Sequence, residues 1–481
     1  MGFKLVFLWT DLALWALFVA VATYGWHAWR QPPLRANWGR AMHDGATLAS
    51  AAVLAVFMLV SAVDSVHFRR ALPPAAGQAP GATFYDTRTD SLLDLLLARP
   101  LQMRESTYSA PLATHALIKQ NVERDGVTVR ELPRLKFGGA HLADPERDWA
   151  GDVLRRVASG LVGALLLMLA ASLVLGAAVG REHGTLLTRW RAVLAGRTRY
   201  PWRVPLFTLG LIALAAGPVI ALMGHYHVFG TDRTGNDVLV QALKSVRTAF
   251  VIGTLSTLAT VPLALGLGVL AGYFKGWVDE AVQYLYTLLT SVPNVLLIAA
   301  CVLMVQVYID THAEAFDTGL ERADLKMFLL CVILGLTGWA TLCRLVRAET
   351  LKLRDLEFMQ AAEAFGVPHL RTMARHVVPN VMHLVLITTV LNFSDLILYE
   401  AVLTYVGVGV DPSLNSFGGM INLARNEMSG DPVVWWSFVA AFGFMLALVL
   451  AANLFADGVR DAFDPRARAY RPQRAAHRAL R

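Results

Sequence analysis

Charge is the scarcest resource in this chain: Asp, Glu, Lys and Arg supply only 16% of 481 residues, while 56% are hydrophobic. With a mean hydropathy of +0.48, that excludes a soluble globular protein of this length. Cysteine is nearly absent as well. The three present, Cys301, Cys331 and Cys343, all fall in apolar runs, which excludes a disulfide framework and a cysteine-based zinc site. The sequence contains no Gly-Lys pair, so no phosphate-cradling loop of the Gly-x-x-x-x-Gly-Lys-Ser/Thr kind is encoded. No His-Glu-x-x-His, no Gly-x-Ser-x-Gly and no paired carboxylates in a soluble setting point to hydrolysis. No catalytic residue and no metal ligand set is assigned. Short-period repeats are missing too.

What the chain has is long apolar runs. Nine segments approach the roughly 20 residues needed to cross a bilayer: 5–26, 46–65, 157–180, 204–224, 248–273, 281–308, 327–348, 382–408 and 433–456. Hydrocarbon satisfies no open strand edge, so these segments are expected to be helices. The fold class is therefore all-α, a polytopic membrane bundle of about nine helices. The net charge of +7 is spread by side instead of forming a nucleic-acid patch. Basic residues follow the first, third, seventh and ninth segments (Arg30 to Arg40, Arg181 to Arg203, Arg344 to Arg375, and Arg460 onward), whereas Asp310 to Asp324 and Asp411 to Asp431 mark the opposite side. The positive-inside rule then places residues 350–380 and the C-terminus in the cytoplasm and the N-terminus outside. Lys4 and Ala20-Val21-Ala22 have a signal-peptide flavour. Asp11 interrupts that run, and cleavage would strand Arg30, Arg35 and Arg40 outside, so an uncleaved helix is expected.

Five blocks follow: N-terminal helices over 1–65, an external loop or small cap over 66–156, further helices over 157–224, a core over 225–465 and a basic tail over 466–481. The loop opens with linker chemistry at Pro73-Pro74, Gly77, Pro80 and Gly81, then predicts a short helix over Ser91–Leu97 and a strand over Val127–Arg130. Its nearly balanced charge favours a folded cap. The Arg/Ala-rich tail suits lipid headgroups.

Four ordered motifs occupy the second half. Gly230-Thr231-Asp232, Gly235, Asp237-Val238-Leu239 and Arg247 precede the fifth crossing. There Thr231 or Asp232 can cap a helix, Gly235 allows a bend, and Asp237 places negative charge at a helix start. Next, Gln360-Ala361-Ala362-Glu363, Gly366, Arg371 and Val378-Pro379-Asn380 form a charge-rich insert between apolar segments. Good helix formers over 350–365, a glycine stop and Pro368 predict two short helices with a bend between them, the second running to Pro379. The small pair Ala361-Ala362 leaves room for a partner surface, and the neighbouring charges can set its register. An amphipathic helix on lipid is the plainer reading. The third motif runs from Glu400 through Thr404-Tyr405-Val406-Gly407-Val408-Gly409 to Ser416-Phe417-Gly418-Gly419, and the fourth is Asn453 to Arg466.

Together these motifs resemble binding-protein-dependent ABC import permeases of the dipeptide, oligopeptide and nickel branch, and the insert is similar to their EAA loop. Gln360 stands where that loop has glutamate, and Phe417 stands for tryptophan. The resemblance implies a bacterial inner-membrane permease subunit, without its own cofactor, that couples ATPase motion to uptake of peptides or a related solute. Two ABC ATPase subunits carrying ATP and Mg, a homologous second permease and an extracytoplasmic substrate-binding protein are the implied partners, with the bilayer as solvent. Gln360, Ala361, Ala362, Glu363, Gly366, Arg371 and Pro379 would then form the ATPase-coupling surface. Ionisable groups in hydrocarbon suggest function. Ser291, Asn294, Asn392, Asp395 and Glu400 could line a polar path, while Asp395 fits an interhelical hydrogen bond equally well and Glu400 suits a structural pin. Two other classes stay open, a secondary transporter and a membrane scaffold or sensor built on the external loop.

Overall fold

The computed structural model describes residues 3–72, 85–124, 127–179, 185–198, 200–312, 314, 316 and 318–463. The Pro73–Gly81 linker and the basic tail lie outside them. In chain order the elements are β1 (Phe3–Val6), α1 (Trp9–Arg30), α2 (Pro32–Ala41), α3 (Gly45–Asp64), β2 (His67–Arg70), β3 (Asp90–Ser91), α4 (Leu92–Leu96), α5 (Ala98–Gln102), β4 (Gln120–Arg124), β5 (Val127–Glu131), α6 (Pro145–Val179), α7 (Leu186–Leu194) and α8 (Arg203–Leu222). There follow α9 (Val238–Phe274), α10 (Gly276–Ser291), α11 (Asn294–Thr311), α12 (Gly319–Arg354), α13 (Glu357–Ala364), α14 (His369–Thr372), a π-helical turn (Met373–Val377), α15 (Val378–Val406), α16 (Phe417–Glu427) and α17 (Trp436–Phe463). Among the described residues, nine helices are long and apolar enough to cross a membrane.

The expected sixth crossing, 281–308, is interrupted where Ser291, Pro293 and Asn294 break its apolar run, and its bounds as a span are corrected. Val292 and Pro293 adopt extended backbone, so α10 ends at Ser291 and only Asn294–Thr311 has the length and composition of a span. Proline lacks the N–H that a helix would need there and disfavours helical geometry at the residue before it.

Two compact units interleave the expected sequence blocks. One comprises Met1–Phe7, Met42–Ala249 and Leu414–Ala451; the other comprises Leu8–Ala41, Phe250–Ser413 and Ala452–Arg481. In the first unit, β1, β2 and β3 form an antiparallel sheet with Phe3 opposite Arg70 and His67 opposite Ser91. The hairpin of β4 and β5 contains the predicted strand. The predicted short helix is α4. It is fixed by a capping box in which the Ser91 hydroxyl accepts from the Asp94 N–H and the Asp94 carboxylate accepts from the Ser91 N–H. Helices α6 and α8 pack along one another at Gly160 and Gly217, where a Cβ on Gly160 would sit 2.5 Å from the Gly217 carbonyl oxygen.

In the second unit, α9 and α12 run parallel and touch at backbone distance. A Cβ on Gly335 would lie 2.9 Å from the Ser256 oxygen, one on Gly268 2.9 Å from that of Cys343 and one on Gly272 2.8 Å from that of Arg347. The first helix belongs to this unit: the Thr10 N–H and hydroxyl both donate to the buried Asp324 carboxylate on α12. Helix α2 joins the end of α17 through Trp38 and Phe463, whose rings sit 5.4 Å apart edge to face.

Hydrocarbon offers no hydrophobic gain for helix association, so small-residue contacts carry the α6–α8 pair. Gly160→Val should lower thermal stability in detergent by about 2 kcal/mol or more through overpacking. Gly163→Val, on the same helix with nothing within 4 Å of its added Cβ, should remain close to the parent; equal melting of all three proteins would refute the packing assignment.

Candidate functional site

The charge-rich insert folds as a bent knob. Leu356 is extended and starts α13, and the helix stops at Gly366, whose φ of +66° is the left-handed value favoured by glycine. The Gly366 N–H donates to the Glu363 carbonyl at 2.9 Å and the Val367 N–H to that of Ala362 at 3.1 Å, which together are a Schellman motif. Pro368 then turns the chain into α14.

The second predicted helix does not end at Pro379. It continues into α15 through the π-helical turn, where the Val378 N–H reaches the Met373 carbonyl. Pro379 cannot donate and crowds the preceding turn, and the wider turn removes the conflict. The knob is thus continuous with a membrane-spanning helix.

Its inner side is anchored. Met359, Met373 and Val377 are buried in one cluster with Tyr273, Tyr286, Trp339, Cys343 and Val346, from α9, α10 and α12. The Tyr273 hydroxyl lies 2.9 Å from His369 Nδ1, and Lys275 approaches Asp355 at 3.7 Å. Both oxygens of Asp279 on α10 meet the Arg347 guanidinium, the Nη2 contact at 2.7 Å.

Of the residues expected on the coupling face, Gln360, Ala361, Glu363, Gly366, Arg371 and Pro379 are exposed. Ala362 is the exception: only 9% exposed, it faces the protein's own interior, so the small pair is not presented together. Two residues that sequence reasoning passed over dominate the tip, Phe365 at 86% and Leu370 at 76% exposure. The available signal was a bulky apolar side chain on each flank of a Gly-x-Pro bend.

Ser291 and Asn294 flank the break between α10 and α11 and are exposed. On α15, Asn392 is half-buried, Asp395 is exposed, and Glu400 is 1% exposed and accepts the Thr404 hydroxyl at 2.8 Å. Thr404 in turn accepts the Val410 N–H at 3.0 Å, so Glu400 is bonded into the C-terminal end of its own helix.

In the other unit the loop 227–237, the signature loop that holds the first of the four motifs, is laced to the segment 104–109. The expectation that Thr231 or Asp232 caps a helix is replaced. Asp237 is the cap, its carboxylate accepting the Leu239 and Val240 N–H groups at 2.9 and 3.3 Å. Asp232 instead organises the loop, accepting from the Thr234 and Asn236 N–H groups. Thr231 is buried and accepts the Ser109 N–H at 2.7 Å, while its carbonyl accepts Trp436 Nε1–H at 3.0 Å. Gly230 and Gly235 both have positive φ, and a Cβ on Gly235 would fall 1.9 Å from the Glu105 carbonyl oxygen. Arg247 is buried and reaches the Ser65 hydroxyl at 3.3 Å.

At the centre lies an ionic triad. His227 Nδ1 is 2.9 Å from Asp237 Oδ2 and Nε2 is 3.5 Å from Glu105 Oε1, the second a charge contact longer than a good hydrogen bond. Glu105 also accepts the backbone N–H groups of Lys136, Phe137 and Gly138. Burial alone would raise the Glu105 carboxyl, but His227 and these three donors bring it down to about 2. Burial would lower the His227 imidazole, yet Asp237 and Glu105 prevail and raise it to about 9. Tyr108, half-buried beside Glu427 and donating to it at 3.1 Å, is pushed up to about 12 by that partial burial and the Glu427 charge.

Residues 264–469, which include the knob, match the family described as "Binding-protein-dependent transport system inner membrane component". The chain is 32% identical over 248 residues to the oligopeptide transport system permease protein OppC of Mycobacterium tuberculosis, covering 52% of this chain and 79% of that one. It is 31% identical over 245 residues to the Escherichia coli protein of the same name, 51% and 74% of the two chains. Over 242 residues it is 29% identical to that of Bacillus subtilis, 50% and 72%. The chain belongs to this permease family. It is a multi-pass membrane transport subunit and not an ATPase. About half of its length lies outside the stretch matched by those relatives.

Because the folded imidazole titrates above its ordinary value, its stabilisation is complete below about pH 6.5 and is lost as pH rises through about 9. His227→Gln should lower the melting stability of the purified protein at neutral pH by about 3 kcal/mol, as expected when one member of a buried ionic cluster is removed. It should also flatten the stability loss between those two pH values. An unchanged alkaline slope would rule out the ionised triad.

Proposed function

We propose that the protein is the permease subunit of an ATP-driven importer of peptides, working with a homologous second permease, two ABC ATPase subunits that carry ATP and Mg, and an extracytoplasmic substrate-binding protein. The names of its relatives support the peptide class, and the family description supports dependence on a binding protein. The observation that carries the reading is the knob. An apolar tip of Phe365 and Leu370 projects from a piece continuous with α15 and packed against α9, α10 and α12. A soluble ATPase that accepts the tip in a groove moves those helices as a body when it closes on nucleotide, and the membrane path alternates its access.

In this arrangement the knob and C-terminus face the cytoplasm and the N-terminus lies outside, a reading that the charge distribution supports. Residues 66–156, joined to the signature loop, face the binding protein. Gln360, Glu363 and Arg371 are rim groups that set register, and Gly366 holds the bend. Asp395, exposed on a spanning helix, faces the second permease or the path between the two.

Phe365→Glu should leave insertion and melting unchanged but reduce ATP-dependent peptide uptake in proteoliposomes tenfold or more, since a buried aromatic anchor at an interface is typically worth about 2 kcal/mol. Gly366→Val meets no atom within 4 Å, so its cost is backbone strain of about 1–2 kcal/mol. It should uncouple ATP hydrolysis from uptake, whereas Gly366→Asn, tolerant of left-handed backbone, should retain coupling. Uptake by the subunit without any ATPase, driven by an ion gradient, would overturn the assignment.

A further inference from the structure

Between Gly184 and Asp232 the chain holds five arginines and no acidic residue. Within that stretch α7 folds back onto α6. Trp190 Nε1–H donates to the Ser172 hydroxyl at 3.0 Å, and a Cβ on Gly176 would lie 3.0 Å from the Trp190 Cα. This contact lies only one to two turns from the end of the spanning helix α6, which puts α7 at the depth of the lipid headgroups. Ala192 and Val193 are buried, while the spacing of Leu187, Arg191 and Leu194 sets all three on the opposite, exposed face. That face alternates two acyl-compatible side chains with a cation able to extend its head toward water.

The turn beyond α7 adds two more cations. Gly196, with φ of +68°, follows the helix, and the Arg203 side chain crosses it so closely that a Cβ on Gly196 would lie 3.3 Å from the Arg203 Cδ. Arg197 and Arg203 are both exposed. Tyr200 sits 4.9 Å from His43 ring to ring, which fixes this corner against the start of α3. The carboxylate next to His43, Asp44, is committed to capping that helix through the Thr47 N–H at 2.8 Å. The corner is thus strongly cationic, at headgroup level, and bordered by apolar side chains.

We propose that α7 and the turn into α8 bind the phosphate of an anionic membrane phospholipid through Arg191, Arg197 and Arg203, with Leu187 and Leu194 against its acyl chains. Charge complementarity and the continuity of this face with the spanning helices select lipid over a soluble anion.

The test uses the full-length protein reconstituted in phosphatidylcholine with and without phosphatidylglycerol, followed by delipidating washes and mass spectrometry of the retained lipid. The parent should enrich phosphatidylglycerol about fivefold or more over its bulk share, in a manner weakened by salt. The triple variant Arg191→Gln, Arg197→Gln, Arg203→Gln should fall to within about twofold of bulk, while the corresponding triple lysine variant keeps most of the enrichment. Because the triple glutamine variant could fail to fold, Arg197→Gln alone, in an exposed turn, should show a partial loss with unchanged melting. Undiminished enrichment in folded glutamine variants would overturn the proposal. So would full displacement of the lipid by inorganic phosphate at matched phosphorus concentration, which would identify a soluble-anion site.

Discussion

Two apolar helices surrounded by lipid gain nothing by hiding from solvent, and every other feature of this protein is subordinate to that constraint. Association must come from close contact and from polar groups that find partners. The structure uses both devices. Gly335, Gly268 and Gly272 bring α9 and α12 to backbone distance, and Thr10 delivers two hydrogen bonds to a carboxylate buried on α12. Where glycine removes the Cβ, the parallel pair behaves as one thick rod. A thick rod transmits displacement better than loosely packed helices do.

That stiffness gives the knob its meaning. A bent surface piece attached through a flexible linker would absorb a partner's motion. Here the π-helical turn joins it to α15 without a break, and Met359, Met373 and Val377 lock it beneath α9, α10 and α12. The tip exposes the apolar Phe365 and Leu370, with the polar and charged Gln360, Glu363 and Arg371 exposed around it.

The first unit also works by the opposite chemistry. Segment 104–109 and loop 227–237 carry buried charge and hydrogen bonds, with an imidazolium held between Glu105 and Asp237. Such a cluster is costly to desolvate and costly to break, so it specifies one arrangement of loop 227–237 against segment 104–109. The signature motif, as a sequence, marks a helix start. As structure, its Asp237 does two jobs, capping α9 and pairing with His227.

The nine spans, the helical class and the bend at Gly366 were legible in the sequence because each depends on local rules: segment length against bilayer thickness, absence of lipid-side hydrogen bonding, and the backbone freedom of glycine. Helix α4 and the strand at Val127 were legible for the same reason. Tertiary contacts alone decided that Asp237, not Thr231 or Asp232, caps α9, because the partners that claim Thr231 lie more than a hundred residues away. They also turned Ala362 inward, carried the helix past Pro379, and bound α1 to α12. Hydropathy and residue chemistry act on neighbours along the chain. Which side chain faces a partner, and which charge meets which, depends on contacts that exist only once distant segments have been brought together.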